Sequence, residues 1–212
     1  MKLVEYNCDE FSELLASRTP TPGGGSAAAL IGSYGAALCA MAANFTAGRE
    51  KYAEHETLMN DTLSRANSLR EAFIAAVDAD AESYTAVGAV YSMPKSSPEE
   101  KTARKQAMRE ALLSAAAVPL SVMELSRQAL ILTKGIVGKS NPNISSDLGV
   151  AALCLRTAIC GAWLNVRTNL NGMNDDRAIE YLKKGEALIA EALTLADEIY
   201  NEILAAVGGQ QP

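Results

Sequence analysis

Two carboxylates, a few amides and a run of glycines are the residues of this chain whose types and settings suit chemistry on a polar ligand. Asp80 falls on a helical stripe with Ala66, Leu69, Phe73, Ala76, Tyr84 and Val87. A carboxylate facing a helical interior is costly unless partnered. Asp80 therefore belongs either to a structural ion pair or to a site. Asp78 faces away from that stripe and is expected in solvent. Asp147 closes the run NPNISSD, in which Ser145, Ser146 and Asp147 stand at the mouth of a helix. Capping explains these types, and so does the orientation of a cationic or N–H-bearing ligand. Asn165 and Asn169 are four residues apart on a face with Ala158 and Gly161. Their amides suit the capping of a neighbouring chain end, and a ligand is the other reading.

The run TPTPGGGS, residues 19–26, leads into a long alanine-rich segment. It is not a nucleotide-binding P-loop, because no Gly-Lys-Ser/Thr follows and no strand precedes it. Gly23, Gly24 and Gly25 still leave unpaired N–H groups at a helix start, where an anion or a carbonyl oxygen binds well. A plain sharp turn is the other reading. Arg49, Lys51 and Lys95 adjoin turn-rich segments and suit a polyanionic tail. His55, the single histidine, is expected on an exposed helix surface, and being the only one does not make it a base. Cys8, Cys39, Cys154 and Cys160 form no CxxC pair. No metal site is expected from them. They read as reduced thiols, and the start MKLVEYNCDEF lacks a signal-peptide apolar region, so a cytoplasmic location is expected.

The elements that must position these residues are helical. Hydrophobic residues make up 49% of the 212, enough for a core, while aromatics are only 5%, so that core must be built of small side chains. The length fits one domain, residues 1–212. The net charge of −6 argues against nucleic acid as a partner. Residues 27–47 carry no charge and are long enough to span a bilayer. Their Ala, Gly and Ser content, with Asn44 and Thr46, points instead to a buried helix, so no membrane is expected.

Periodicity and breakers predict helices over about 8–17, 26–48, 52–90, 97–133, 147–170 and 174–206. Ser26 is expected as the N-cap of the second. Ser97 and Pro98 mark the start of the fourth, and Pro119 predicts a kink or break within it. The last helix shows Leu182, Ile189, Leu193, Ala196, Tyr200, Ile203 and Val207 at heptad-like steps. The fold class expected is an all-α, up-and-down type bundle of about five or six long helices. Ala27, Ala28, Gly32, Gly35, Ala36 and Ala40 should let neighbouring backbones approach the second helix, placing it mid-bundle or at a subunit interface.

The segments TPTPGGGSAAAL, MAANFTAGREKY, DADAESYTAV followed by MPK, AAAVPL, and NPNISSDLGVAAL with GAWLNVRTNL occur in this order. Together they resemble the cyclodeaminase/cyclohydrolase family: the C-terminal half of formiminotransferase-cyclodeaminase and its stand-alone bacterial relatives, methenyltetrahydrofolate cyclohydrolases included. The resemblance runs from about residue 3 to 206 and implies a stand-alone, all-helical homodimer. It implies tetrahydrofolate substrates, commonly polyglutamylated, and no cofactor beyond the tetrahydrofolate itself. Two reactions are implied, hydrolysis of 5,10-methenyltetrahydrofolate to 10-formyltetrahydrofolate, or loss of ammonia from 5-formiminotetrahydrofolate to give the methenyl compound. No motif separates them, and a non-catalytic folate-binding helical dimer is the alternative of another class. On this resemblance Asp147 and Asp80 are the acid/base or pterin-anchoring carboxylates. Pro22, Gly23, Gly24, Gly25, Ser26, Asn44, Asn141, Asn143, Ser146 and Asn165 would line the site, and Arg49, Lys51 and Lys95 would hold glutamates.

Overall fold

The computed structural model describes residues 2–208. A 3-10 turn at Leu3–Glu5 leads to six helices: α1 Cys8–Ala16, α2 Gly24–Asn44, α3 Glu56–Tyr91, α4 Pro98–Ile136, α5 Ser145–Asn169 and α6 Asp176–Gly208. Further 3-10 turns sit at Glu50–His55 and Pro142–Ile144. No strand is present among the described residues. The all-α bundle expected from the sequence is what forms, with successive long helices running up and down.

Local chemistry sets the boundaries. Asn7 caps α1, its Oδ1 accepting the Asp9 and Glu10 N–H groups at 3.0 Å, while Glu10 accepts the Asn7 N–H in return. Ser97 and Glu100 form the same reciprocal box at the start of α4, with Pro98 in the first turn. Gly138 and Gly172, just past α4 and α5, take φ of +73° and +74°, which glycine adopts without steric cost. The break expected at Pro119 does not occur. α4 runs through it as one helix, with Pro119 buried and the segment held on both sides by α3, α5 and α6.

α2 packs against α3 and α5 through small residues, as expected. A Cβ on Gly32 would overlap the Phe73 ring, and one on Gly35 would stand 2.6 Å from Leu155 Cγ. The aromatic ring and the leucine fill the space that those missing side chains leave. At α6, Trp163 occupies the equivalent space over Gly185. Cross-helix ion pairs run the length of α6: Arg109 with Asp175 just before it, then Lys184 with Glu124, Arg127 with Glu191, Arg156 with Asp197, and Lys134 with Glu198 and Glu202.

Three expected core positions are not core. Tyr84 is 54% exposed, although Val87 and Val90 further along α3 are buried. Tyr200 and Val207 also face outward. The buried line of α6 is Ala178, Gly185, Ala192, Ala196, Ile199 and Ile203, a phase rotated from the expected one towards smaller residues. Asp78 is not simply solvated: it accepts the Leu3 N–H at 2.6 Å and ties down the N-terminal turn. α2 itself is buried on one side only. Its outer side shows Tyr34 and Phe45, with Ala27, Ile31, Leu38 and Met41 half-covered. By length and composition α2, α4 and the segment Pro142–Asn169 are each apolar enough to cross a membrane. Only 44% of the α5 window is buried inside the fold, which leaves Val150, Leu153 and Leu164 on the surface.

Candidate functional site

The glycine run starts α2 differently from the expected Ser26 cap. Gly23 is the N-cap, in extended backbone, and Gly24, Gly25 and Ser26 form the first helical turn. The helix start receives its acceptor from another helix. Asp80 of α3 accepts both the Ser26 N–H and the Ser26 hydroxyl on Oδ2, each at 2.8 Å. The same hydroxyl lies 3.1 Å from the Val77 carbonyl. The carboxylate thus satisfies an unpaired N–H at the positive end of the helix, where negative charge is favoured. Gly25 is what permits this. A Cβ there would stand 2.6 Å from Asp80 Cγ. The second oxygen, Oδ1, makes no hydrogen bond among the described residues and remains free to accept one.

Asn165 lies beside this cluster. Its amide donates to the Gly161 carbonyl at 2.9 Å, and its Nδ2 is 3.7 Å from where a Gly24 Cβ would be. Pro22, buried, follows a cis peptide bond and precedes the cap. Pro22, Gly23–Ser26, Asp80 and Asn165 therefore form one group at one end of α2.

The other expected residues gather at the opposite end. Thr46 is buried. Its Oγ1 accepts the Asn141 N–H at 2.9 Å and donates to the Ala42 carbonyl at 2.7 Å. The Asn141 side chain accepts the Asn143 N–H at 3.1 Å, shaping the 3-10 turn before α5, and the Tyr52 hydroxyl comes within 3.5 Å of it. Asp147 sits half-buried in the first turn of α5, with Ser146 and Asn143 exposed beside it. Capping by the Ser146 or Asp147 side chain is not seen. Asn44, Arg49 and Lys51 are exposed at this same end. Lys51, with Tyr52, His55, Lys139, Ser140 and Ser145, lines a cavity of about 410 Å³. His55 is half-buried in that wall rather than exposed. Neither Thr46 nor Tyr52 was expected among the site residues, although both lie inside the segment MAANFTAGREKY.

Lys95 stands apart from both groups. It lines a cavity of about 350 Å³ with Tyr91, Lys101, Arg104, Lys105 and Met108, four cations around one hollow. Arg104 is held there by the Val90 carbonyl, accepting from Nε at 3.2 Å, with its guanidinium 5.9 Å from the centre of the Tyr91 ring. Lys101 had no signal beyond its charge.

The two groups are separated by the length of α2, 21 residues, or about 30 Å. One helix end offers a buried hydroxyl, free backbone N–H groups and a carboxylate oxygen. The other offers a carboxylate, two asparagines and cations. Each set offers hydrogen-bonding groups to a polar ligand.

Known proteins align with the chain over most of its length. The family model described as formiminotransferase-cyclodeaminase matches residues 7–188. A methenyltetrahydrofolate cyclohydrolase of Methylorubrum extorquens is 41% identical over 197 residues, covering 92% of this chain and 94% of that protein. A formimidoyltransferase-cyclodeaminase of Rattus norvegicus is 33% identical over 92% of this chain, which spans only 36% of that longer protein. The crystal structure of a formiminotetrahydrofolate cyclodeaminase from Thermotoga maritima matches with a TM-score of 0.79 at 25% identity, over 96% of both chains.

Proposed function

The chain belongs to the formiminotransferase-cyclodeaminase family, and from that we propose that it is a tetrahydrofolate one-carbon enzyme that hydrolyses 5,10-methenyltetrahydrofolate to 10-formyltetrahydrofolate. The observation that carries this reading is the 41% identity to a methenyltetrahydrofolate cyclohydrolase, over 92% of this chain and 94% of that protein. The cyclodeaminase reaction is the second reading, favoured by the match to the Thermotoga maritima fold over 96% of both chains.

In the hydrolysis, water attacks the methenyl carbon, its oxygen gives up both protons as the formyl carbonyl forms, the bond from that carbon to N5 breaks, and N5 takes up one of the two protons. The net products are the N10-formyl compound and one proton. Such a reaction needs a group that accepts a proton from water and returns one to N5. The free Oδ1 of Asp80 and the half-buried carboxylate of Asp147 are the groups assigned this work or the anchoring of the pterin N–H edge. The N–H groups of Gly24 and Gly25 and the Asn165 amide position the ring, since geometry rather than new chemistry supplies much of the acceleration. Arg49, Lys51 and Lys95 hold the glutamate carboxylates. The enzyme acts as a cytoplasmic homodimer, with no cofactor beyond its tetrahydrofolate substrate and no nucleic acid or membrane.

The test follows the near-ultraviolet absorbance of 5,10-methenyltetrahydrofolate with and without protein. Decay faster than the spontaneous rate supports hydrolysis. Growth of the same absorbance from 5-formiminotetrahydrofolate, with ammonia released, supports the cyclodeaminase instead. Neither change, from folded protein that still binds tetrahydrofolate, leaves the binding-module reading.

A further inference from the structure

Asp147 stands in the first turn of α5, and its half-buried carboxylate accepts no hydrogen bond among the described residues. No neighbouring donor orients it, so the backbone that carries it must. Downstream that backbone is fixed by packing. Leu148 is fully buried, and a Cβ on Gly149 would stand 3.2 Å from Ile203 Cγ2, so α5 lies close against α6 there. Upstream Pro142 and Asn143 are exposed, and hydrogen bonds take over from packing. The Asn141 carbonyl accepts the Ile144 N–H at 3.2 Å, and the Asn141 side chain accepts the Asn143 N–H at 3.1 Å. The Pro142 carbonyl accepts the Ser145 hydroxyl at 2.9 Å. These bonds make residues 141–145 one unit.

One bond ties that unit to the end of α2. The Asn141 N–H donates to Thr46 Oγ1 at 2.9 Å, across 95 residues of chain. Thr46 is fully buried and Asn141 is 5% exposed, so loss of the acceptor would leave the N–H unpaired away from water. The Thr46 hydroxyl gives its own proton to the Ala42 carbonyl at 2.7 Å, which turns its lone pairs towards Asn141. The Thr46 N–H is held in turn by the Ala43 carbonyl at 3.1 Å. A single hydroxyl thus joins the end of α2 to the turn that starts α5. The Tyr52 hydroxyl, 3.5 Å from Asn141 Oδ1, is at the limit of a hydrogen bond and adds little.

We propose that Thr46 is a positioning residue for Asp147: its hydroxyl holds the Asn141 turn in the one place from which the Asp147 carboxylate points correctly at the substrate. Burial keeps Thr46 itself off the substrate, so it acts only through the turn. From Asn141 to Asp147 the path is one 3-10 turn and the first turn of α5, about 10 Å. Without its acceptor the buried N–H must seek another, and the turn moves with it. A displacement of about 1 Å at a working group, caused by a change away from the chemistry, costs about 100-fold in rate. Serine keeps the acceptor and valine removes it at nearly constant shape, so the two substitutions separate the hydrogen bond from the packing. The proposal rests on the folate reading for what Asp147 acts upon, whereas the hold of Thr46 on the turn does not.

Three measurements on the full chain test it. The first is steady-state turnover of 5,10-methenyltetrahydrofolate and of 5-formiminotetrahydrofolate, well below the melting temperature of each variant. Thr46→Val is expected to lower kcat about 10–100-fold with KM nearly unchanged. Thr46→Ser should keep kcat within about twofold of wild type, because the acceptor remains. Should Thr46→Val fail to fold, Thr46→Cys takes its place, since a thiol is a weak acceptor that buries readily. Wild-type kcat in the folded variant would overturn the proposal. The second measurement repeats Thr46→Val in an Asp147→Asn background. If Thr46 acts through that carboxylate, kcat should fall no further. An undiminished further fall would show that it acts by another route and would overturn the proposal too. The third needs no activity. Amide hydrogen exchange should quicken in residues 140–149 of Thr46→Val while α3 and α6 keep their wild-type rates. A uniform quickening would mean lost stability alone and no positioning. A wild type that turns over neither folate, with exchange still quickened only at residues 140–149, would refute the folate reading and leave the hold of Thr46 on the Asp147 turn standing.

Discussion

Gly25→Ala should be the most informative single substitution. The added methyl would meet Asp80 Cγ at 2.6 Å, well inside contact distance. The carboxylate must withdraw, and its Oδ2 then gives up the Ser26 N–H and the Ser26 hydroxyl, both now at 2.8 Å. Hydrogen bonds to a charged group contribute about 1.5–3 kcal/mol each. Alanine in a helix recovers about 1 kcal/mol relative to glycine. The net loss is therefore about 2–5 kcal/mol. For a chain of this size each kcal/mol lowers Tm by about 2–4 °C, so thermal denaturation followed by circular dichroism should show a fall of about 5–15 °C. Gly24→Ala is the control. Its nearest neighbour would be Asn165 Nδ2 at 3.7 Å, ordinary contact, so its stability should stay level or rise. Removing the obstacle, as Asp80→Ala, should make Gly25→Ala far less costly, a coupling that a double-mutant cycle reads directly. A Gly25→Ala protein melting within ~2 °C of wild type would refute the argument that glycine is required there by the carboxylate.

Asp147→Asn should lower turnover about 100-fold or more while leaving the circular dichroism spectrum unchanged; unchanged turnover would remove it from the site. Thr46→Val keeps the shape but takes away the acceptor of the buried Asn141 N–H, and urea denaturation should show a loss of about 1–3 kcal/mol. Burial pushes the Cys39 thiol up from 9.0 to about 11. An unfolded chain releases that proton first, so the stability this thiol contributes is complete below pH 9 and is lost as pH rises through 11. The difference between wild type and Cys39→Ala should accordingly change by up to about 3 kcal/mol across that window. A flat difference would show that Cys39 ionises in the folded protein as it does in the unfolded chain.

Most of the helices were legible because their stops are chemical. Pro20 and Pro22, the SerProGluGlu box, and the turn before α5 each act within a few residues, which is the range over which sequence order and spatial order coincide. The phase of the long helices was less legible. In α6 a line of large residues suggested one face, but Gly185 and Ala192 face the core because Trp163 and its neighbours need room there. Such sockets depend on the partner helix, not on the helix that carries them. Tyr84 misled as well: it shares its stripe with Phe73 and Val87, which are buried, yet its own ring faces solvent. Asp80 was visible as a carboxylate out of place, whereas its partner was not. Ser26 is 54 residues away, and only the folded chain shows that a carboxylate from α3 does the capping. The division of the candidate residues between two helix ends was likewise hidden, because motif order says nothing about which end of a bundle each motif reaches.

The uncharged α2 also bears on how the chain is made. It emerges from the ribosome long before its partners. At ~5–20 residues per second, the 125 residues between Asn44 and Asn169 take about 6–25 s to synthesise. During that interval a segment apolar enough for a bilayer lacks a complete α5 to cover it. Nascent chains should therefore depend on a holdase or on slow exposure at the tunnel exit, and overproduction should yield inclusion bodies whose protease-protected core contains residues 24–44.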